Sequence, residues 1–230
     1  MDIGRAFKFM FEDEGWISKV LIGGILGIIP IVNFVVYGYQ LEIIRNVAEG
    51  RDLPLPDWDD FGGKFVKGLM IFLASLIYSI PLIVLGIAVA IVTAVAGGAV
   101  SSSGRDAAGA AGGIAGLCMI VFYCVALIYA VIVYGFIMLP GLMRYAETGE
   151  FGAFFRFGEN LRVATSNLGA YIVMLLVYIV AVIAAEIVGT IACGIGIIFT
   201  IFWAYLVGSH LLGQYWREHR EVQGSAVGTY

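Results

Sequence analysis

The sequence predicts an all-α fold, a polytopic helical membrane bundle, from its composition and its pattern of apolar runs. The chain is 61% hydrophobic, its mean hydropathy is +0.96, and only 13% of its residues are charged. Soluble domains have about one-quarter charged residues, and a transmembrane helix needs about 20 apolar residues. Because a soluble domain could not shield this much apolar surface from water, we expect a lipid bilayer to surround the chain. The apolar runs are Trp16–Ile44, Leu69–Val100, Ile114–Met143, Leu168–Ile191 and Ile195–Leu212.

The first apolar run, Trp16–Ile44, is too long for one untilted span and too short for two full spans. Pro30 lies in its middle, and Asn33 follows shortly after. Proline removes a backbone donor and clashes with the preceding helical turn, so we expect the helix to break at Pro30. Two interpretations stay open. The run is either one kinked span or a short, re-entrant hairpin that turns near residues 29–33.

A short motif occurs three times and predicts an internal repeat. Each copy has an acidic residue, an apolar residue, Gly, two variable residues and Phe, and each leads into an apolar run. Apolar residues four positions apart with basic residues nearby are typical of a helix that lies in the membrane interface. We therefore predict a single membrane domain of three repeated units, each an interfacial amphipathic helix followed by a transmembrane helical hairpin. The copies are Asp2–Phe7, Asp60–Phe65 and Glu150–Phe155; the units are about 1–50, 57–148 and 150–217, and a flexible tail follows at 218–230.

The distribution of positive charge predicts the orientation, because Lys and Arg are enriched in cytoplasmic loops. With six membrane segments, twelve of the 13 Lys and Arg residues lie on one side, and Arg105 lies on the other. With five segments the division is nine to four, so the charge distribution favours six. We therefore expect a multi-pass protein of the cytoplasmic membrane with cytoplasmic N- and C-termini.

Two ionisable residues lie within the last two apolar runs, where the cost of burying charge makes them candidates for function. Glu186 is near the predicted outer end of its segment, and we expect it to reach headgroups or water. A buried proton or cation site and a structural hydrogen bond are the alternatives for Glu186. His210 is near the predicted inner end of the last segment, far in depth from Glu186, and we expect a structural histidine.

Polar residues also occur in the first apolar run. Asn33 is expected to bond backbone groups that the break at Pro30 leaves free. Gln40 and Glu42 lie near the predicted inner end of the first unit. Glu42 is expected to form a salt bridge with Arg45, three positions further on.

The loop that follows the first unit contains Asp57, Trp58, Asp59 and Asp60. Carboxylate oxygens are the ligands that hard divalent cations prefer, so a cation site is one hypothesis for this loop. The simpler interpretation is that Asp59 or Asp60 caps the next helix and complements its dipole. Trp58 would then be an anchor in the membrane interface. We predict no metal site.

The N-terminal part of the chain contains a distinctive series of short stretches. They are Asp2–Phe7, Glu12-Asp13 with Trp16, Ile22–Gly24, Ile29–Phe34, Gly38-Tyr39 and Leu55–Gly62, and Gly213-Gln214 near the end is similar. In these stretches the chain resembles the DUF4013 family of prokaryotic, notably archaeal, membrane proteins without an assigned activity. The specific part of the resemblance covers about the first 70 residues, and the remainder agrees in hydropathy. The resemblance implies a membrane protein of unknown function and supplies no catalytic residues.

The sequence also limits the classes of function to be considered. It contains no G-x-S-x-G, H-E-x-x-H, Walker-type or dinucleotide motif, and its three cysteines lack zinc-site spacing. Its net charge is −4 without a basic block, so we expect no nucleic-acid partner. We expect a non-enzymatic scaffold, sensor or accessory protein without a cofactor, whose partners are the bilayer and a second copy or another membrane protein. The alternative is a small-solute or ion transporter or channel-like protein, which the repeats, the broken first run and Glu186 favour.

Overall fold

Helices account for nearly all of the ordered secondary structure. The computed structural model describes the backbone of residues 1–101, 105–192 and 194–227 and the side chains of 1–95, 112–113, 115–192 and 194–222. These residues form helices and turns and no β-strand, so the all-α prediction is confirmed. Short 3₁₀ segments lie at Phe9–Glu12 and Phe151–Phe155, and a π-helical segment lies at Val131–Met138. The α-helices are α1 (Ile3–Lys8), α2 (Trp16–Ile28), α3 (Phe34–Ala48), α4 (Phe61–Ser101), α5 (Arg105–Ala130), α6 (Leu139–Thr148), α7 (Phe157–Ser166), α8 (Leu168–Ile191) and α9 (Gly196–Val227).

Four helical segments in the described part of the chain are long and apolar enough to cross a membrane. Their mean hydropathies lie between 1.6 and 2.7, and most of the first three faces outward from the protein. Backbone groups inside a helix satisfy one another, so such segments are stable in hydrocarbon. The chain is therefore a multi-pass membrane protein. The segments are Phe61–Val95, Ala115–Thr148, Leu168–Ile191 and Gly196–Val222.

The first apolar run forms two helices rather than one continuous helix. α2 ends at Ile28 and α3 begins at Phe34, on either side of Pro30. Ile31, between them, has a φ of 72°, a region that β-branched residues rarely adopt. The break predicted from Pro30 is confirmed. Since each helix is shorter than a full span of about 20 residues, the run is a short helical hairpin.

The helices group into two compact units. The larger contains Met1–Leu73 and Ile137–Tyr230, and the smaller contains Ala74–Phe136. In the larger unit, α9 packs against α1, α2, α3, α6 and α8. α2 runs antiparallel to α9, since Gly23 lies against Phe202 and Gly24 against Phe199.

α3 runs in the opposite direction to α2 along the same helix, because Val36 lines a cleft with Ile197 while Gly213 lies against Ile44. The core between α2, α3 and α9 contains fully buried aromatic and aliphatic side chains. Its members include Phe9, Val20, Val36, Tyr39, Ile43, Phe202 and Leu206. The hairpin is thus held by the long apolar helix α9.

The smaller unit is an antiparallel pair, in which the last part of α4 packs against α5 and the start of the π-helical segment that follows it. Tyr134 shares a 2.9 Å hydrogen bond with Ser79, and the Tyr129 hydroxyl donates to the carbonyl of Tyr78 at 2.7 Å. Interhelical hydrogen bonds of this kind help to hold helices together in lipid. The other faces of both helices expose aliphatic side chains, including Ile83, Ile87, Ile91, Leu117, Ile120 and Leu127.

Two details differ from the sequence predictions. The three-unit repeat is not confirmed, because its copies fold differently: Asp2 precedes an isolated short helix, Asp60 precedes a continuous long one, and Glu150 precedes a 3₁₀ segment.

The predicted tail also begins as helix, since α9 continues to Val227. It is held there by bonds from Arg220, 2.7 Å to Glu147 and 2.7 Å to the carbonyl of Ala48. Residues 228–230 of the predicted tail lie outside the described residues.

We expect Gly68→Ala to destabilise the larger unit, because α3 and α4 cross where only hydrogen fits. A Cβ at Gly68 would overlap the carbonyl oxygen of Phe34, and backbone cannot move as easily as a side-chain tip. The expected loss is about 1–3 kcal/mol of unfolding free energy, measured by thermal denaturation in detergent. Gly62→Ala in the same helix meets open space and should be neutral or stabilising by about 0.5–1 kcal/mol. Equal effects of the two substitutions would contradict this crossing.

Candidate functional site

The Leu53–Asp60 loop is irregular backbone that packs among α2, α3 and α9. Four of its interactions come from side chains of the helices or of the loop itself. Tyr39 donates to the carbonyl of Pro56 and Asn46 to that of Pro54, both at 2.9 Å. Trp58 donates from its indole nitrogen to the carbonyl of Lys19 at 2.9 Å, and Lys19 donates to the carbonyl of Leu55 at 3.3 Å. The loop is therefore fixed to the helices rather than free in solvent.

Trp58 is part of the same packing. Its ring stacks on Tyr39 at a centroid distance of 4.1 Å and approaches Phe202 at 6.2 Å. The sequence predicted an interface anchor at Trp58. Its half-buried ring packs inside the larger unit, where Tyr39 stacks on its face and the carbonyl of Lys19 accepts from its indole N–H, and its position in the membrane interface stays a prediction.

Two lysines pair with the acidic residues of this region. Each lysine bonds one carboxylate from a helix or its lead-in and one exposed carboxylate from the loop. Lys19 lies 2.7 Å from Asp13 and 2.9 Å from Asp57.

The second lysine, Lys64, has a side chain that is only 1% exposed. It lies 3.0 Å from Glu42 and 2.9 Å from Asp59, and it also donates to the Asp59 carbonyl at 2.9 Å. Glu42 bonds Lys67 as well, so the predicted Glu42–Arg45 pair is wrong; Arg45 instead bonds Glu49 at 2.8 Å.

The three loop aspartates thus have three separate roles. Asp57 and Asp59 bond different lysines, and Asp60 accepts from the backbone N–H of Gly63 at 3.0 Å, which caps α4. The bond from Lys64 lowers the pKa of the Asp59 carboxyl. Within the described residues, no group of three or more His, Cys, Asp or Glu side chains could hold a metal ion.

A second polar feature, the polar cleft, lies where α1, the end of α3 and α9 meet. It has a volume of about 320 Å³, and its lining includes Arg5, Gly50, Arg51, His210, Gln214 and Arg217. Gln214 joins two of these elements, because its amide donates to the Asp2 carbonyl and its oxygen accepts from the Asp2 N–H.

His210 lies at the edge of the cleft and is almost fully buried. Its ring stacks on Phe9 at 4.4 Å, and its Nδ1 lies 2.9 Å from the Gln214 amide nitrogen. Since that nitrogen donates, Nδ1 accepts and the ring proton is on Nε2.

The C-terminal half of α9 is tied to α3 and α6 close to the polar cleft. Glu147 accepts from Trp216 at 2.9 Å and from Arg220 at 2.7 Å. The guanidinium of Arg144 lies 5.8 Å from the centre of the Trp216 ring, a cation–π distance. Together with the Gln214–Asp2 bonds, these contacts place the N-terminal residues, the end of α6 and the C-terminal half of α9 at one end of the larger unit.

Comparison with known proteins adds the family. The sequence model of DUF4013, described as a protein of unknown function, matches residues 22–195. The chain belongs to the DUF4013 family. The match extends well beyond the N-terminal part in which the resemblance is specific, and includes α8. No curated protein and no solved structure matches the chain.

The remaining residues that the sequence analysis named as candidates for function do not lie together in one site of this DUF4013 member. Glu186 is exposed on α8, beside the face on which Ala185 and Gly189 contact α9. Asn33 and Gln40 are partly buried, and Asn33 Oδ1 and Gln40 Nε2 have no hydrogen-bond partner among the described residues. Pro30 is exposed at the turn between α2 and α3.

Sequence reasoning missed the residues that bind the loop, above all Tyr39, Asn46, Lys19 and Lys64. A lysine inside or next to an apolar run is a usable signal, because burying an ammonium requires partners. The identity of those partners is set by tertiary packing, since Lys19 and Asp57 are far apart in sequence.

We expect Lys64→Met to lower the unfolding free energy by roughly 2 kcal/mol, less than for a fully buried pair because Asp59 reaches solvent. Removing the ammonium leaves the half-buried Glu42 with only Lys67. The pKa of Asp59 should rise towards its ordinary value, as measured by carboxyl NMR. In the native protein the Asp59 bond stabilises the fold above about pH 3.9 and is lost as pH falls through the lowered pKa.

Lys67→Met is the matched control, because Lys67 is more exposed and bonds Glu42 alone. Its expected cost is below about 1 kcal/mol. Equal costs for the two lysines, or an unchanged Asp59 pKa in Lys64→Met, would refute the role of Lys64.

Proposed function

We propose that this chain is a non-enzymatic scaffold, sensor or accessory protein of the cytoplasmic membrane, with both termini in the cytoplasm. The orientation is supported by the excess of Lys and Arg in the segments that would then be cytoplasmic. The N-terminal residues, the end of α3 and the end of α6 meet the C-terminal half of α9 at the polar end of the larger unit. This arrangement supports the proposal that the N-terminal residues and the C-terminal half of α9 lie on the same side of the membrane.

The proposed role rests mainly on the charged side chains, which pair with one another and join helices and loops of the larger unit. Lys19 and Lys64 bond the loop, Arg220 joins α9 to Glu147 and to the end of α3, and Arg144 bonds Glu159 at 2.8 Å. Such pairs fix the relative positions of helices and loops. A rigid polar end on a membrane anchor is suited to presenting a surface to a partner.

The partners we propose are the bilayer and either a second copy or another membrane protein. The outward face of α8 supports this, because it exposes aliphatic side chains along its length together with Glu186. If Glu186 faces lipid rather than headgroups or water, its carboxylate is costly there and gains from a polar contact with a neighbouring protein.

A transporter or channel-like function is the second candidate, and one observation favours it. The hairpin of α2 and α3 is discontinuous at Pro30, and the side-chain oxygen Oδ1 of Asn33 nearby is buried without a partner among the described residues. Broken helices with free polar groups line the substrate sites of many transporters.

Two measurements on one preparation separate the candidates. The scaffold proposal predicts no proton or potassium flux above empty vesicles when the purified chain is reconstituted into liposomes. It also predicts a discrete protein adduct in cells from a photo-cross-linking residue at Leu53, which is exposed at the polar end.

Ile195 is the matched position for cross-linking, because it is exposed at the opposite end of the larger unit. A cytoplasmic scaffold should give no discrete adduct there. Flux that Glu186→Gln or Asn33→Leu abolishes, with no adduct from Leu53, would overturn the scaffold proposal in favour of transport.

A further inference from the structure

The polar cleft brings three guanidinium groups to one concave surface. Arg5 comes from α1, Arg51 follows α3, and Arg217 comes from α9. Their side chains are 43%, 55% and 52% exposed, so they face open space rather than the core. Neither the membrane anchor nor the proposed scaffold role requires these three residues to meet.

Each guanidinium keeps hydrogen-bond donors that the protein does not use. Arg5 donates from one terminal nitrogen to the carbonyl of Asp52 at 3.1 Å, and the same nitrogen lies 3.8 Å from a carboxylate oxygen of Glu12. Arg51 bonds Glu49 through Nε and one terminal nitrogen, and Arg217 bonds Glu221 through Nε alone. Because a guanidinium has five N–H donors, each of the three arginines can donate to a further ligand.

The carboxylates of the cleft already have partners. Glu218 pairs with the α-amino group of Met1, and Glu221 with Arg217. Asp2 accepts from the backbone N–H of Arg5 at 2.9 Å. Each of the three arginines also has a carboxylate neighbour, Glu12, Glu49 or Glu221, and the N–H donors that it leaves unused can bond an anion.

Gly50 keeps the cleft open beside these arginines. Its φ is 78°, and a Cβ there would lie 3.3 Å from Nη1 of Arg217. Any side chain at this position would be strained and would crowd the guanidinium. The open space lies next to two of the three arginines.

We propose that the polar cleft binds a phosphate group. Arginine binds phosphate with paired, charge-assisted hydrogen bonds, and a volume of about 320 Å³ accommodates a phosphate with a small substituent. The phosphate could belong to an anionic lipid headgroup, since α1 and α9 bring the cleft to the end of the membrane-spanning helices. It could also belong to a soluble phosphate compound, and the chemistry of recognition would be the same.

The test is lipid and phosphate binding by the full chain purified in detergent. Native mass spectrometry measures retention of phosphatidylglycerol against phosphatidylcholine, and calorimetry measures binding of inorganic phosphate. We expect retention of phosphatidylglycerol over phosphatidylcholine or saturable phosphate binding, and an affinity about tenfold weaker in the Arg51→Gln/Arg217→Gln variant. Arg51→Gln alone, at the most exposed of the three, is the second variant if the double variant fails to fold.

Arg156→Gln is the matched control, because Arg156 is 44% exposed and bonds a glutamate but lies outside the cleft. It should change affinity by less than about twofold. A competition experiment distinguishes the two sources of phosphate. If inorganic phosphate does not displace bound phosphatidylglycerol from the cleft, the ligand is a lipid headgroup. If inorganic phosphate does displace it, the ligand is a soluble phosphate compound. The proposal would be overturned if the chain neither retained phosphatidylglycerol over phosphatidylcholine nor bound inorganic phosphate. It would also be overturned if the cleft variants and Arg156→Gln lost affinity equally.

Discussion

The need to satisfy backbone polar groups among apolar helices is the constraint on which the larger unit depends. The Leu53–Asp60 loop packs beside Phe202, which lies in a helix apolar enough to cross a membrane. Irregular backbone is tolerated at such a place only where protein groups replace water. Tyr39, Asn46 and Lys19 provide those groups by bonding loop carbonyls. The loop in turn holds the hairpin of α2 and α3, whose helices are too short to span a membrane alone.

α9 joins the loop and the hairpin of α2 and α3 to the other helices of the larger unit. It contacts helices from both ends of the sequence, and glycines allow several of them to approach closely. Gly208 faces Tyr178 of α8, and Gly213 faces Val47 of α3. Because lipid provides no hydrophobic drive for helix association, such close packing and the polar contacts must supply the stability. The N-terminal residues pack against the polar part of α9 as well, through the bonds between Asp2 and Gln214.

Several features could be predicted from local sequence. Pro30 indicated the break, the hydropathy indicated the long helices, and Asp60 was one of two expected caps of α4. These predictions succeed because they depend on backbone chemistry within a few residues. The pairing of Glu42 with Lys64 could not be predicted, because it depends on the crossing of α3 and α4, and the nearer Arg45 was the natural but wrong choice.

The repeat motif also shows that local sequence alone does not determine structure in this chain. Three similar hexapeptides predicted three similar units, but Glu150 is followed by a 3₁₀ segment fixed by Asn160, which donates to the carbonyls of Ala153 and Phe154. Asn160 is fully buried and has no counterpart that the motif could reveal. Similar local patterns therefore took different structures under different tertiary contacts.

The most direct test of this account is the sidedness of three single cysteines in intact cells, in a background where the native cysteines are replaced by alanine. Glu14→Cys precedes α2, Asp52→Cys follows α3, and both positions are exposed; Ile195→Cys lies in the turn between α8 and α9. A hairpin that enters and leaves on one side predicts that an impermeant maleimide labels Ile195→Cys and neither of the other two until the cells are opened. Labelling of Glu14→Cys and Asp52→Cys from opposite sides would show one kinked span and contradict the account.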